Sequence, residues 1–343
     1  MFTKPRPSMT SLLKNSSLLL AFLCASATAL ADYRVLTQYK IGGEGGYDYI
    51  RVDSAARRLY VSHATRVEVL DADTGKKLGE IAPTNGVHGI AVATEFNHGF
   101  TSNGKDNAVT MFDLKTLQTL KVIPLNGKKP DAIVYDADTK QVFVCNGGIL
   151  AVIDAATGEL KADVKVGGSL EELVFDGSGR LFVNAEDKSV IHVVDTHALK
   201  LIATWPVAPG EGPTGLAIDR AHHRLFSACG NGKFVVLDSD TGAIITTLPI
   251  SEDPDGATFE PATGRAFAST KGGTLTVVQE ESPDKFSVLQ NVTTLPGART
   301  LSLDEKTGWI FLPTAKFGPV PTDGSSRRAP ILPGTFMVLV VGQ

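Results

Sequence analysis

The strongest constraint on this chain is a repeat of about 41 residues. The segment "RRLYVSHATRVEVLDADTGKKLGEI" (57–81) has partners in "KQVFVCNGGILAVIDAATGELKADV" (140–164) and "HRLFSACGNGKFVVLDSDTGAIITTL" (223–248). One aspartate recurs at spacings of 42, 41, 41 and 43 residues, at Asp71, Asp113, Asp154, Asp195 and Asp238. A second anchor gives seven repeats, at Asp53, Thr94, Asp136, Asp176, Asp219, Glu260 and Asp304. A fixed period of this size indicates a repeat architecture.

Each repeat contains four short β-type runs separated by turn signals. In the first repeat these runs are 47–52, 58–62, 66–70 and 77–81, too short for helices and rich in Val, Ile, Leu and Tyr. The third connection has the pattern Asp-x-x-Thr-Gly, which is typical of a hairpin turn with glycine in the left-handed conformation. The sequence therefore predicts an all-β fold, a seven-bladed β-propeller of four-stranded blades.

The two ends of the repeat region predict how the ring closes. The segment "RVLTQYKIGG" (34–43) resembles the fourth strand of a blade but precedes the first repeat. The last repeat, from Ala298, offers only three strands. Because an open sheet edge promotes aggregation, we expect the last blade to be closed by the N-terminal strand.

The N-terminal segment resembles an export signal. Lys4, Arg6 and Lys14 precede an apolar run at 18–24, and small residues at 29–31 are suited to cleavage. We therefore expect a signal peptide at 1–31, a single propeller domain at 32–343 and a periplasmic or secreted protein. The apolar run is too short to span a membrane, so no transmembrane segment is expected.

The net charge of the chain limits which classes of partner it is expected to bind. Removing 1–31 deletes three cations and no carboxylate, which moves the formal charge from −4 to −7. Nucleic-acid affinity depends largely on clustered Lys and Arg, so this balance argues against a nucleic-acid partner. Nothing in the pattern demands self-association, and a monomer is expected.

At this point the motif "LYVSHATRVEVLDADTGKKLGEI", with its 41-residue recurrence, resembles the YVTN-repeat, YncE-like β-propellers of exported bacterial proteins. The resemblance covers essentially all of 32–343. It implies a seven-bladed propeller outside the cytoplasm. It implies much less about chemistry, because related propellers serve as binding scaffolds, lactonases, lyases and parts of redox enzymes.

Propeller geometry indicates which residues surround one mouth of the central channel. The residues at the start of the innermost strands, in register, are Asp48, His88, Asp131, Glu171, Thr214, Asp255 and Arg299. Five of these seven are His or carboxylate. The loops between second and third strands add His63, Asn103, Asn146, Glu186, Asn231 and Lys271 just outside them.

This set supplies the predicted ligand-binding residues Asp48, His63, His88, Asp131, Asn146, Glu171, Asp255 and Arg299. A divalent metal is the candidate cofactor, with Asp48, His88, Asp131 and Glu171 as ligands, and a transition metal becomes a candidate if His63 and His88 converge. The alternative is structural, since an Asp in this position can cap a turn and a ring of charges at a wet mouth is readily solvated.

Two functions follow. The first is a binding or scaffold propeller that recognises a small molecule or a cell-envelope partner on its loop-rich face. The alternative is a metal-assisted hydrolase or lyase, of lactonase type, at the channel mouth. No catalytic residue is identified, because H-E-x-x-H, C-x-x-C and G-x-S-x-G are absent. Cys145 and Cys229 are expected to stay reduced.

An insertion at about 315–333 interrupts the repeat. The stretch "FGPVPTDGSSRRAPILPG" (317–334) lies between the second and third strands of the closing blade, on the same face as the acidic residues. Its prolines favour extended structure. We predict that it forms a lid which turns Arg327 and Arg328 toward the carboxylates or an anionic ligand. The alternative is a solvated surface loop.

Overall fold

The computed structural model describes residues 1–4, 32–322 and 329–343. Most of the predicted signal peptide therefore lies outside the described residues, as do Arg327 and Arg328 of the predicted lid. The described strands form seven four-stranded antiparallel sheets. Each innermost strand contacts that of the next blade, and the last contacts the first, so the sheets form a closed ring. This confirms the predicted all-β, seven-bladed propeller.

Six blades use four consecutive strands each. Blade 1 contains β2 (Ile50–Asp53), β3 (Arg58–His63), β4 (Arg66–Asp71) and β5 (Lys77–Ile81). Blade 2 contains β6 (Val87–Ala93), β7 (His98–Asn103), β8 (Ala108–Asp113) and β9 (Thr119–Pro124). Blade 3 contains β10 (Pro130–Asp136), β11 (Gln141–Asn146), β12 (Ile149–Asp154) and β13 (Leu160–Lys165).

The next three blades repeat this order. Blade 4 contains β14 (Leu170–Phe175), β15 (Arg180–Ala185), β16 (Val190–Asp195) and β17 (Lys200–Pro206). Blade 5 contains β18 (Pro213–Asp219), β19 (Arg224–Cys229), β20 (Lys233–Asp238) and β21 (Ile244–Pro249). Blade 6 contains β22 (Pro254–Glu260), β23 (Arg265–Thr270), β24 (Thr274–Ser282) and β25 (Lys285–Thr293).

Blade 7 joins the two ends of the chain. Its strands are β26 (Ser302–Asp304), β27 (Trp309–Thr314), β28 (Met337–Gly342) and the N-terminal β1 (Arg34–Lys40). The β1 strand runs antiparallel to β28, with Arg34 opposite Gly342 and Lys40 opposite Met337. The closure predicted from the sequence is confirmed.

Burial explains why the middle strands are nearly continuous apolar runs. The second and third strands of a blade are covered by neighbouring blades on both faces, as the fully buried Leu59–Ser62 of β3 shows. The fourth strands lie at the rim and are largely exposed, as in β9. Adjacent blades share apolar clusters, such as Phe226 of blade 5 stacked on Phe259 of blade 6, with ring centroids 5.3 Å apart.

The Asp-x-x-Thr-Gly motifs form the predicted hairpins. In blade 1, Asp71 Oδ1 accepts hydrogen bonds from the Thr74 main-chain N–H (2.8 Å) and from the Thr74 hydroxyl (2.7 Å). Gly75 follows with a φ of 70°, in the left-handed region that favours glycine. The first strand starts later than predicted, at Ile50, because the Asp48 N–H donates to the Ser62 hydroxyl (2.7 Å) instead of joining the sheet ladder.

The insertion in blade 7 spans 315–336. Its base is paired, since the Gly318 N–H donates to Pro330 O and the Leu332 N–H to Lys316 O, both at 2.8 Å. The helices within the described ranges are two short 3-10 turns, Thr94–Phe96 and Glu186–Lys188. None is long or apolar enough to cross a membrane.

Small polar side chains link five of the seven blades to the next around the channel mouth. They donate to the main-chain carbonyls of residues at the start of the neighbouring innermost strand. The donor and acceptor pairs are Ser102 to Asp131, Cys145 to Glu171, Asn184 to Thr214, Ser269 to Arg299 and Thr300 to Asp48. These bonds fix the backbone from which the mouth side chains project.

Asn184→Ala should test these links. Fully buried Asn184 donates to Thr214 O (3.1 Å) and Gly215 O (3.0 Å), so its loss leaves buried carbonyls without donors. We expect the free energy of unfolding to fall by about 1–3 kcal/mol in urea titrations. The matched control Asn126→Ala removes an exposed contact with Asp163 and should change it by less than about 0.5 kcal/mol. Equal effects would contradict the role assigned to Asn184.

Candidate functional site at the channel mouth

The predicted mouth residues occupy equivalent places in the ring. His88, Asp131, Glu171, Thr214 and Asp255 are each the second residue of an innermost strand. Asp48 and Arg299 lie just before β2 and β26. The repeat therefore aligns these seven side chains at one end of the channel.

A left-handed residue two positions earlier turns the chain into the innermost strand in five of the blades. These residues are Gly86, Lys129, Gly212, Asp253 and Gly297. Lys129 and Asp253 have φ values of 56° and 54°, in a region that side chains other than glycine rarely adopt. This left-handed position was not predicted from the sequence, because only Gly86, Gly212 and Gly297 indicate a left-handed residue there.

Five of the mouth side chains form a chain of charges across five blades. His88 Nδ1 lies 2.5 Å from Asp48 Oδ2 and 3.7 Å from Asp131 Oδ1. On the other side, Arg299 Nη2 donates to Asp48 Oδ1 at 3.2 Å, while Arg299 Nη1 donates to Asp255. The order around the ring is Asp131, His88, Asp48, Arg299 and Asp255, so we name this set the mouth relay.

Three of the mouth carboxylates have raised pKa values. Burial and the charge of Asp48 raise the pKa of Asp131 to about 7. Burial and the charge of Asp131 raise the pKa of Glu171 to about 9. Burial also raises the pKa of Asp255, although Arg299 opposes this shift. Negative charge is therefore crowded at the Asp131 and Glu171 side of the mouth.

The two cationic groups have pKa values that favour the charged form. Burial disfavours protonated His88, but the hydrogen bond to Asp48 and the charge of Asp131 outweigh it and raise the pKa. Burial likewise works against Arg299, and Asp255 and Asp48 more than compensate, which raises the pKa of its guanidinium. Asp48 lies between these two cations and is the best neutralised carboxylate of the mouth.

Other predicted residues lie apart from the relay. His63 is fully buried, with its ring centroid 4.5 Å from that of Phe336 and its Nδ1 3.3 Å from Glu68 Oε1. Its Nδ1 also lies 3.1 Å from Arg66 Nη2, and no hydrogen bond joins it to His88 among the described residues. Asn146 is also buried, and neither its amide oxygen nor its amide nitrogen has a hydrogen-bond partner among the described residues. The Thr214 hydroxyl donates to Pro254 O (2.8 Å) and is turned away from the carboxylates.

A cavity of about 750 Å³ runs through the ring directly beyond the mouth. The residues that follow Asp48, His88, Asp131 and Glu171 line its wall, and they are Tyr49, Gly89, Ala132 and Glu172. Glu172 Oε2 accepts from the main-chain N–H of Leu216 (2.8 Å), one blade away, and of Ala257 (3.1 Å), two blades away. Burial raises the pKa of Glu172 to about 8. In the sequence, the doubled glutamate in "LEEL" was the only indication of the role of Glu172.

The two cysteines have no part in the mouth chemistry. Both are buried free thiols, as expected. Cys145 Sγ donates to Glu171 O, so its role is to support the backbone of a mouth residue. Burial raises the pKa of both thiols, which makes them poor nucleophiles.

The architecture and the mouth together define a β-propeller with a charged channel opening. No protein-family model matches the chain. Sequence similarity connects it to proteins described as uncharacterized protein YncE. The Salmonella typhi protein is 25% identical over 66% of this chain and 71% of its own length. The Escherichia coli K12 protein is 26% identical over 54% of this chain and 55% of its own length.

Solved structures support the same architecture. A chain of Kuenenia stuttgartiensis hydrazine synthase matches with a TM-score of 0.66 and 17% identity, over 78% of this chain and 92% of its own. The U3-55K structure matches with a TM-score of 0.73 and 9% identity, over 90% and 98%. These likenesses show the fold alone. With the sequence relatives, they show that the chain is a β-propeller similar in sequence to YncE.

Glu171→Gln should change how stability depends on pH. A carboxyl whose pKa is raised from 4.5 to about 9 on folding favours the folded state fully below the lower value, and this contribution is lost as pH rises toward 9. Glutamine mimics the protonated form. The variant should therefore match the wild type at pH 5 and be more stable at pH 9, on the order of 2 kcal/mol.

The measurement is urea unfolding at both pH values. Exposed Glu159 on the opposite face offers a matched control, and Glu159→Gln should change stability little at either pH. A Glu171→Gln variant that is no more stable at pH 9 than the wild type would show that the mouth does not crowd this carboxylate.

Proposed function

We propose that this YncE-like propeller is a binding protein that acts outside the cytoplasm and recognises a positively charged group at the channel mouth. The ligand class is a cationic small molecule or a basic segment of a cell-envelope partner. The observation that carries the proposal is the uneven charge of the mouth. Asp131 and Glu171 make no ion pair with Lys or Arg among the described residues, whereas Arg299 is used by Asp48 and Asp255.

A bound cation would relieve this repulsion. Four carboxylates share the mouth with one guanidinium and one imidazole, so each added positive charge replaces protons at Asp131 and Glu171. Charges attract more strongly in a partly buried mouth than in bulk water. The concave, acidic opening also concentrates cations before contact.

Rigidity of the mouth supports binding. The carbonyls of Asp131 and Glu171 are held by Ser102 and Cys145 of the preceding blades. Side chains that are already fixed lose little entropy when a ligand arrives. Phe317, in the insertion, lies against Gly297, only two residues before Arg299, and leaves more than a third of its surface exposed. The insertion could therefore add apolar contacts beside the charged site.

The Asp131→Asn/Glu171→Gln double variant tests the proposal. Binding of small molecules grouped as cationic (spermidine, agmatine, choline), neutral and anionic would be measured by thermal shift and calorimetry. We expect cationic compounds to bind the wild type and to lose at least about tenfold in affinity in the variant, because two close charges are removed. Binding should also weaken as salt is raised.

The control applies the same two substitutions on the opposite face. Asp138→Asn/Glu159→Gln removes two exposed carboxylates and should leave affinity unchanged. Binding confined to anionic compounds, or cationic binding that survives in the mouth variant, would refute the proposal. Amino-terminal sequencing of the protein from cell fractions checks the exported location, with a new terminus at Asp32 expected.

A second candidate function is metal-assisted hydrolysis or lyase chemistry. It is favoured by one observation, the ligand atoms of Asp48, His88 and Asp131, which lie within 4.8 Å of one another. A divalent ion held there could polarise a carbonyl group or activate water. The hydrazine synthase likeness adds nothing to this candidate, because 17% identity shows only a shared fold.

His88→Ala separates the two functions. If the mouth is a metal centre, protein purified without chelator should hold one equivalent of metal that His88→Ala removes, and EDTA and His88→Ala should each abolish the hydrolysis of a lactone panel. Metal content that His88→Ala leaves unchanged, with no lactone turnover, would exclude the enzyme and leave cation binding as the function of the mouth.

A further inference from the structure

A second cluster of ligand-type side chains lies at the junction of blades 5 and 6, on the face opposite the mouth. Asp219 ends β18, and His222 lies in the turn that leads to β19. Glu280 lies on β24 of the next blade. His222 Nδ1 is 2.6 Å from Asp219 Oδ2 and 2.8 Å from Glu280 Oε1.

Two residues of the cluster, His222 and Glu280, depart from the repeat pattern and contact each other. At the position of His222, blades 3, 6 and 7 have Thr139, Thr263 and Thr307, whose hydroxyls donate to the carboxylate that ends the innermost strand. Glu280 occupies the place at which four other blades bury a small residue, namely Ala72, Ala155, Thr196 and Ser239, and blade 2 buries Leu114. Neither departure is needed for the turn or the strand.

Both carboxylates are buried, but only Glu280 is without a donor among the described residues. The side chains of Asp219 and Glu280 are only 4% and 3% exposed, whereas that of His222 is 50% exposed. A ring nitrogen carries one hydrogen, and the bond to Asp219 uses it. Both Glu280 oxygens are thus without a hydrogen-bond partner among the described residues, and such a buried charge is costly.

The backbone around the cluster is well held. The Glu280 N–H donates to Gly264 O (2.8 Å), and Glu280 pairs with Phe286 in the β24–β25 hairpin. Asp219 Oδ1 accepts from the Ala221 N–H (2.9 Å), which directs Oδ2 toward His222. Next to the cluster, Arg224 pairs with Asp238 of its own blade and with Asp284 of blade 6, both at 2.9 Å, so one ion pair already joins the two blades.

We propose that Asp219, His222 and Glu280 bind a Zn²⁺-type transition-metal ion that fastens blade 5 to blade 6. The donor set of one imidazole nitrogen and two carboxylate oxygens suits such an ion, which takes mixed nitrogen and oxygen ligands. Ligand atoms around tetrahedral zinc lie about 3.4 Å apart. The present separations are shorter, so the half-exposed His222 ring moves outward by well under 1 Å and leaves a fourth position open to water.

The ion would supply the positive charge that the side chains around the two carboxylates do not provide. A divalent cation neutralises both buried carboxylates, and it links a loop of one blade to a strand of the next. The proposal is independent of cation recognition at the mouth, because the two sites share no residue. Its role is structural, so loss of the metal should lower stability and leave mouth binding intact.

Zinc binding to protein stripped with EDTA tests this site. Calorimetry is performed in a His88→Ala/Asp131→Asn background, so that the mouth does not contribute. We expect one equivalent of Zn²⁺ to bind and to raise the melting temperature by about 3–5 °C at a hundredfold excess over Kd. His222→Ala and Glu280→Gln should each weaken binding at least about tenfold and abolish the thermal shift.

His223→Ala is the matched control. It lies in the same turn with similar exposure, but its Nδ1 contacts Asp240 at 3.1 Å, so the variant should bind zinc like its parent. Circular dichroism confirms that each variant is folded, and the exposed His222 gives a variant with little risk to the core. No zinc equivalent, or zinc affinity unchanged in His222→Ala and Glu280→Gln, would overturn the proposal. Tight Ca²⁺ binding whose affinity His222→Ala leaves unchanged would also overturn the proposal.

Discussion

The structure depends on polar side chains of one blade that hold the backbone of the next around the channel mouth. The only covalent link between a propeller blade and the next is a single connecting segment. Apolar packing is non-directional, so it does not by itself fix how one blade is rotated against the next. The bonds from Ser102 to Asp131 O and from Asn184 to Thr214 O have a direction and a length, so they set the rotation between blades. Because they end on the residues that form the mouth, blade geometry and mouth geometry cannot vary independently.

This coupling explains the unequal charge of the mouth. Arg299 and His88 lie on either side of Asp48, and the fixed backbones of blades 1, 2 and 7 hold the three groups within ion-pair distance. Asp131 and Glu171 project from blades 3 and 4, where neither makes an ion pair with Lys or Arg among the described residues. A rigid ring cannot collapse to bring Arg299 across the channel. The excess negative charge on one side is therefore a property of the architecture as much as of composition.

Much of the fold could be predicted because the repeat fixes the register. Once Asp71 and Asp53 define the period, the strands, the closing blade and the identity of the mouth residues follow. The contacts among those residues do not follow, because they depend on rotamers and on residues distant in sequence. His63 illustrates this limit, since its ring packs against Phe336 beyond the insertion and is removed from the mouth. The left-handed Lys129 and Asp253 likewise give no local signal, because neither is a glycine.

Departures from the repeat carry information that the repeat itself does not. Seven equivalent positions experience nearly the same backbone and neighbours, so a residue that differs from its counterparts is measured against six internal controls. Glu280 places a carboxylate where blades 1 to 5 bury small or apolar groups, a change that destabilises the fold unless something compensates it. His222 replaces a threonine hydroxyl at a turn that needs only a donor. Two such changes that meet across a blade junction are better explained by a shared ligand than by independent drift.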